Sequence, residues 1–145
     1  MRFMIIRKAD RDTEAGAPPG GALVTAMMRY NEEMITAGVM LGGDGLQPTT
    51  KGARVRFSGG TPTVTDGPFA EAKELIAGYT LIQAASREEA LEWVKRWPPE
   101  DGHGEVELEL RQLYEADDFG EEFTPAIRKQ EELLRQRSET AGGDR

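Results

Sequence analysis

The apolar positions of this chain change period several times, and each change marks an element. Phe3 to Arg7 is a short apolar run without a breaker, which predicts a strand buried on both faces or lying at a sheet centre. Asp10 to Gly21, with its acids, prolines and glycines, reads as an irregular loop. From Ala22 the period lengthens: Leu23, Met27, Tyr30 and Met34 fall on one helical face, and Gly38 is the natural cap at its end. Met27, Met28 and Met34 fit core filling better than a binding surface, because the thioether packs adaptably. Val39-Met40-Leu41 predicts a second strand. The glycines at 42, 43 and 45 behind it predict close backbone approach or a bulge, since no phosphate-binding glycine pattern is present.

Ala53 to Phe57 alternates apolar with charged, Ser58-Gly59-Gly60-Thr61 turns, and Thr63-Val64-Thr65 returns, the pattern of an antiparallel hairpin. Leu75 to Gln83 predicts the next strand, with Gly78 inside it requiring a close neighbour. Ser86-Arg87-Glu88-Glu89 is a capping box opening a helix with Ala90, Leu91, Val94 and Trp97 inward, stopped by Pro98-Pro99. Glu105 to Tyr114 alternates Val106, Leu108 and Leu110 against Glu105, Glu107, Glu109 and Arg111, and the phase slip at Gln112-Leu113 suggests a bulge. This order predicts an α+β, ferredoxin-like β-α-β-β-α-β plan with an added hairpin. Its helices would cover one sheet face. The other face would mix Glu109 and Arg111 with apolar residues, a surface that predicts a homodimer with its sheets facing one another.

Between hairpin and strand stands Thr65-Asp66-Gly67-Pro68-Phe69-Ala70-Glu71-Ala72-Lys73-Glu74, where candidate chemistry concentrates. Asp66-Gly67-Pro68 is strong turn punctuation, and Pro68 also suits a first helical turn. Asp66 is a candidate general base or simply a turn former. Glu71 and Lys73 can pair with each other or with a ligand, and Glu74 abuts the strand. Glu109 and Arg111, two apart on one strand, can clamp an acidic substrate or pair across a dimer. Tyr79 beside Gly78 can donate a hydrogen bond, and Phe69 can line a site. His103 lies between glycines in a turn and reads as solvated.

Composition narrows the function classes. At 145 residues one domain with a tail is expected, and a chain this long buries roughly 70% of its surface without staples. It has no cysteine, which removes thiolate chemistry and disulfides, and no metal or cofactor motif appears. A formal charge of -8 argues against a nucleic-acid partner. The N-terminal apolar run is too short for a signal peptide and no later run could span a membrane, so the expectation is a soluble cytoplasmic protein. Residues 1–114 form the expected domain and 115–145 an acidic extension, with nine acids against five Lys or Arg, hence -4. Thr124 and Pro125 open an expected helix over about 124–137, with disorder expected from Ser138 to Arg145.

The Thr65–Glu74 run, with Gly78-Tyr79, Glu89-Ala90-Leu91-Glu92-Trp93 and Glu109-Leu110-Arg111, closely resembles the YCII-related family in its DGPF-domain branch. The resemblance covers about Met1 to Tyr114. It implies a dimeric α+β barrel in which two ferredoxin-like sheets pack together, and an activity that is mostly undefined. Relatives include a dehydrochlorinase-like enzyme, resemble muconolactone isomerase in fold, and often lie beside extracytoplasmic-function sigma factors. Two departures stand out: the first helix has Met27 where family members with a proposed site carry a His paired with an Asp, and Gln112 replaces a common proline. The function expected is acid-base chemistry, isomerase or dehydrochlorinase-like, on a small organic acid or lactone in the dimer cleft. Asp66 or Glu109 would move the proton and Arg111 would bind the anionic end, with Phe69, Lys73, Glu74 and Tyr79 around the substrate. The alternative is a non-catalytic dimeric binding or regulatory module.

Overall fold

The structure is a computed structural model that describes residues 1–71 and 73–142. It divides into two compact units, Met1–Leu113 and Tyr114–Arg145. In the first, β1 (Arg2–Lys8), β2 (Met40–Gly45), β5 (Ile76–Gln83) and β6 (Leu108–Gln112) form an antiparallel sheet in the order β2-β5-β1-β6. With helices α2 (Gly21–Thr36) and α3 (Arg87–Val94), this is the ferredoxin-like arrangement, an α+β fold. β3 (Ala53–Ser58) and β4 (Thr61–Asp66) pair only with each other, as the hairpin pattern requires.

Strand alternation divides the main sheet into two faces. Phe3, Ile5, Ile82, Tyr30, Met34, Val39 and Ala90 build the core between the sheet and α2 and α3. β1 lies inside the sheet, between β5 and β6, the second of the two expected settings, and is not buried on both faces: Phe3, Ile5 and Arg7 are buried, whereas Met4 and Ile6 on the far face are half-buried, because the helices lie on one side only. α2 ends as its glycine predicts. Gly38 has φ 71°, its amide donates to Ile35 O (3.0 Å) and the Val39 amide to Met34 O (2.8 Å), closing the helix end with a left-handed residue. Tyr30 also donates its hydroxyl to the Trp93 carbonyl (2.7 Å), and burial pushes its phenol up to about 12.

Several expectations need correction. Inside the Asp10–Gly21 loop lies a single helical turn, α1 (Arg11–Glu14), held by reciprocal bonds between Asp10 and Thr13. β2 runs on through its glycines, with an irregularity between Met40 and Gly42. A Cβ at Gly43 would stand 2.6 Å from the Tyr79 carbonyl oxygen, and one at Gly78 3.1 Å from that of Asp44, so the close approach predicted for these glycines is between β2 and β5. Pro68 opens no helix, because Gly67 and Phe69 are tied by hydrogen bonds to Gly52 and Thr49 instead. α3 stops at Val94, short of Trp97. β6 is shorter than 105–114 and shows no bulge at 112–113: its register with β1 is unbroken from Phe3↔Gln112 to Arg7↔Leu108, and Leu113 N still donates to Arg2 O (2.9 Å).

The second unit begins with stacked aromatics, Tyr114 on Phe119 and Phe119 on Phe123, each pair 5.3 Å apart. α4 (Pro125–Gly142) follows, with Thr124 Oγ1 accepting from Ile127 N (3.3 Å) at its start. The helix continues through Ser138 to Gly142, where disorder was expected, and residues 143–145 lie outside the described residues.

Candidate functional site

Register, rather than sequence proximity, assembles the face of the main sheet that lies away from α2 and α3. One cross-strand row reads Asp44, Tyr79, Ile6, Glu109, and the next reads Gly42, Leu81, Met4, Arg111. Four apolar or aromatic side chains thus lie in the middle, all half-buried, with an acid at one edge and an acid-arginine pair at the other. The Arg111 guanidinium and Glu109 carboxylate approach only to 3.5 Å, and both side chains are largely exposed at 70% and 44%. A pair this loose contributes little to stability and is free to exchange its partner for a ligand.

The Asp66-Gly67-Pro68-Phe69 turn has a different anchorage. Asp66 ends β4 opposite Ala53, with its side chain exposed. Gly67 is irreplaceable on steric grounds, since an added Cβ would lie 1.7 Å from the Thr49 carbonyl oxygen, and its amide donates to Gly52 O (3.0 Å). The peptide joining Gly67 to Pro68 is cis. Phe69 N donates to Thr49 Oγ1 (3.1 Å), and Thr49 in turn donates through Oγ1 (2.7 Å) and N (3.1 Å) to the Glu14 carboxylate on α1. Arg54 lies over the Phe69 ring at 3.9 Å and pairs with Glu71 at 3.1 Å. A backbone hydrogen bond and the Arg54 guanidinium hold the exposed Glu71 carboxyl below its usual range. Lys73 and Glu74 stand exposed in the following turn.

Of the expected site residues, Glu109, Arg111 and Tyr79 share one sheet face, whereas Asp66, Phe69, Lys73 and Glu74 belong to the turn clamped on Thr49. Two shallow depressions, one around Glu33 and Arg96 between α2 and α3 and one along α4 around Leu134, are lined by none of them. Asp44, Thr49 and Glu14 were not read as site residues. Their spacing carries no motif, and only the register and the fold bring them to their partners.

Sequence reading also missed a buried polar cluster. Arg7 grips Asp101 with Nε (3.1 Å) and Nη2 (2.7 Å), donates from Nη1 to Lys8 O (2.7 Å), and reaches Asp10 at 3.0 Å. The Trp97 indole donates to Asp101 at 2.9 Å. Burial pushes the Asp101 carboxyl up, but the Arg7 and Trp97 hydrogen bonds and the Arg7 charge outweigh it and hold Asp101 below the usual carboxylate range. Every donor here is matched, which makes the cluster architectural. It fixes the 101–104 turn, where Gly102 and His103 both have φ 56° and a Cβ on Gly102 would strike Val106 at 2.6 Å. Among the described residues, no group of three or more His, Asp or Glu gathers where it could hold a metal ion.

Comparison with known proteins bears on this geometry. A family model described as the YCII-related domain matches residues 1–112. The chain belongs to the YCII-related family. Its matched span covers the whole ferredoxin-like sheet and the clamped turn and stops where the second unit begins. This YCII-related chain is 50% identical over 50 residues to an uncharacterized protein of Rhizobium meliloti (strain 1021), a match that covers 34% of the chain and 40% of the relative's length. It also superposes on the 5-chloro-2-hydroxyhydroquinone dehydrochlorinase TftG from Burkholderia phenoliruptrix AC1100, solved in complex with 2,5-dihydroxybenzoquinone. The TM-score is 0.46 at 15% identity, over 81% of this chain and 98% of that one. Among the described residues no helix is long and apolar enough to cross a membrane.

Proposed function

We propose that this YCII-related protein, of the DGPF branch, is a cytoplasmic homodimer that performs acid-base chemistry on a small organic acid or lactone enclosed between two sheets. The observation that carries the reading is the loose Glu109–Arg111 pair beside an apolar floor of Met4, Ile6, Tyr79 and Leu81. Arg111 offers a fork for a carboxylate, and binding there displaces Glu109 from a contact of 3.5 Å that costs little to break. Closing a second copy over the face would remove water and leave Glu109 to move the proton and Tyr79 to donate to the developing oxyanion. Asp66 is the second candidate base, with Phe69, Lys73 and Glu74 of the same clamped turn as candidate substrate contacts.

A thermal-shift screen of small hydroxy acids, keto acids and lactones tests this reading. A stabilising compound should lose its effect on Arg111→Ala, and Glu109→Gln or Asp66→Asn should bind it without turning it over. If no carboxylate or lactone shifts the wild-type melting temperature, the enzymatic reading fails. A second reading is a binding or regulatory module, associated with a sigma factor of the extracytoplasmic type, that works through its tail. It is favoured by the exposed Phe119, Ile127, Leu133 and Leu134 of the second unit, and it predicts that truncation before Tyr114 abolishes function in cells while Asp66→Asn does not.

A further inference from the structure

The two edges of the main sheet differ. β2 blocks further pairing by its own irregularity: its register with β5 slips between Met40 and Gly42, and three of its six residues are glycine. β6 is regular. Its register with β1 is unbroken from Leu108 to Gln112, it contains neither glycine nor proline, and among the described residues no strand pairs with its outer side. The bonds from Lys8 N to Glu107 O (3.1 Å) and from Leu113 N to Arg2 O (2.9 Å) fix the phase of its ladder. Hydrogen-bonded pairs alternate with non-bonded ones, so Glu109 and Arg111 turn their backbone groups inward to β1, while Leu108, Leu110 and Gln112 turn theirs out over the edge.

We propose that this edge pairs with the β6 edge of a second copy, antiparallel and centred on Leu110, so that the two sheets continue into one another. Leu108-Glu109-Leu110-Arg111-Gln112 is complementary to itself in that register. The outward groups set Leu110 against Leu110 and Leu108 against Gln112 on either side, three narrow pairs of two bonds each, about six in all. Glu109 of one copy then stands directly opposite Arg111 of the other, twice, on the face that carries Ile6 and Tyr79. Sliding either way by the smallest step that keeps the bonding phase sets Glu109 against Glu109 or Arg111 against Arg111, which like charge disfavours. The same geometry explains why the pair is loose within one chain. Residues two apart on a strand are separated by about 6.6 Å along it, whereas opposite residues of a non-bonded pair have Cα atoms about 4.5 Å apart, so the contact of 3.5 Å between Arg111 and Glu109 is the poorer of the two on offer. The edge is a different surface from the sheet face and goes beyond the contact proposed above. Its consequence for the site rests on that reading: the acid that works with a given Arg111 belongs to another copy.

Sedimentation equilibrium of the full chain, with amide hydrogen exchange, tests the edge. The wild type should associate, and the Leu110 and Gln112 amides should slow as it does. Arg111→Glu and Glu109→Arg each set like charges opposite one another and should raise the dissociation constant about tenfold, whereas an equimolar mixture of the two variants should associate as the wild type does, because each change then meets its complement. Gln112→Pro deletes an outward donor, leaves the inward ladder to β1 intact, and should also raise the constant about tenfold. Circular dichroism checks that each variant is folded. A wild type that stays monomeric overturns the edge contact, as does a pair of charge variants that dissociate alone and fail to associate when mixed. A dimer that all three variants leave unchanged, with the Leu110 and Gln112 amides still exchanging freely, overturns it while sparing the sheet-to-sheet contact. Association through the edge in a protein that no carboxylate or lactone stabilises sinks the enzymatic reading and leaves the edge pairing standing.

Discussion

Two arginines on neighbouring strands of one sheet, Arg7 on β1 and Arg111 on β6, hold carboxylates with opposite fates. Arg7 and Asp101 meet on the helix side, both with side chains only 9% exposed, through a two-pronged contact that Trp97, Asp10 and the Lys8 carbonyl complete. Arg111 and Glu109 meet on the far side, exposed, over a single contact of 3.5 Å. The difference is made by alternation alone, since odd positions of β1 point at the helices and even ones away. Burial turns the first pair into a structural rivet that cannot be opened without stranding a charge. Exposure leaves the second with partners to spare, and that freedom is what a binding residue needs.

Opening the rivet should have the largest effect. Asp101→Ala strands a buried guanidinium and the Trp97 indole, and equilibrium urea unfolding should register a loss of about 3–5 kcal/mol. Replacing both partners by apolar residues, Arg7→Met with Asp101→Leu, should cost less than the single change, and a double variant that costs more would break the comparison. The acid limb of the stability curve sharpens it next. Asp101 and Asp10 both have folded pKa values lowered below their unfolded ones, so their stabilisation is complete above the unfolded value and disappears as pH falls through the folded one. Stability of the wild type should therefore drop below about pH 4, and in Asp101→Asn that drop should be visibly shallower.

Thr49 lies between the extremes. Thr49→Val removes a half-buried hydroxyl that bridges Glu14 and Phe69 N, and should cost about 1–2 kcal/mol while speeding amide exchange at Phe69. The far-side pair comes last. Glu109→Gln and Arg111→Ala should each change unfolding free energy by less than about 0.5 kcal/mol, and a larger loss would show that this pair too is architectural.

The architecture was legible where side-chain period and strand geometry agree. The alternation at Ala53–Phe57 and from Leu108 to Arg111, the stripe on α2 and the cap at Gly38 all have local causes, and the observed elements follow them. Local rules failed where a distant partner decides. The Arg7–Asp101 pair spans 94 residues, so neither the strand-like Arg7 nor the turn-like Asp101 announces it. β2 extends through Gly42 and Gly43 against glycine's low strand preference, and at Gly43 β5 approaches too closely for any side chain. In the same way Asp66-Gly67-Pro68 has the composition of a helix start, but Thr49 and Gly52 claim its backbone groups. The candidate site was half visible for the same reason: Glu109 and Arg111 are two apart on one strand, whereas Asp44 joins the row of Glu109 only through three successive pairings.

The first residues of the chain are stitched on both sides, the amide of Ala84 donating to Met1 O at 3.0 Å and that of Leu113 to Arg2 O at 2.9 Å. A residue placed ahead of Met1, which is itself 51% exposed, would therefore leave from between β5 and β6. A fluorescent label at Met1 would report on the middle of the sheet, where β1 joins β5 to β6.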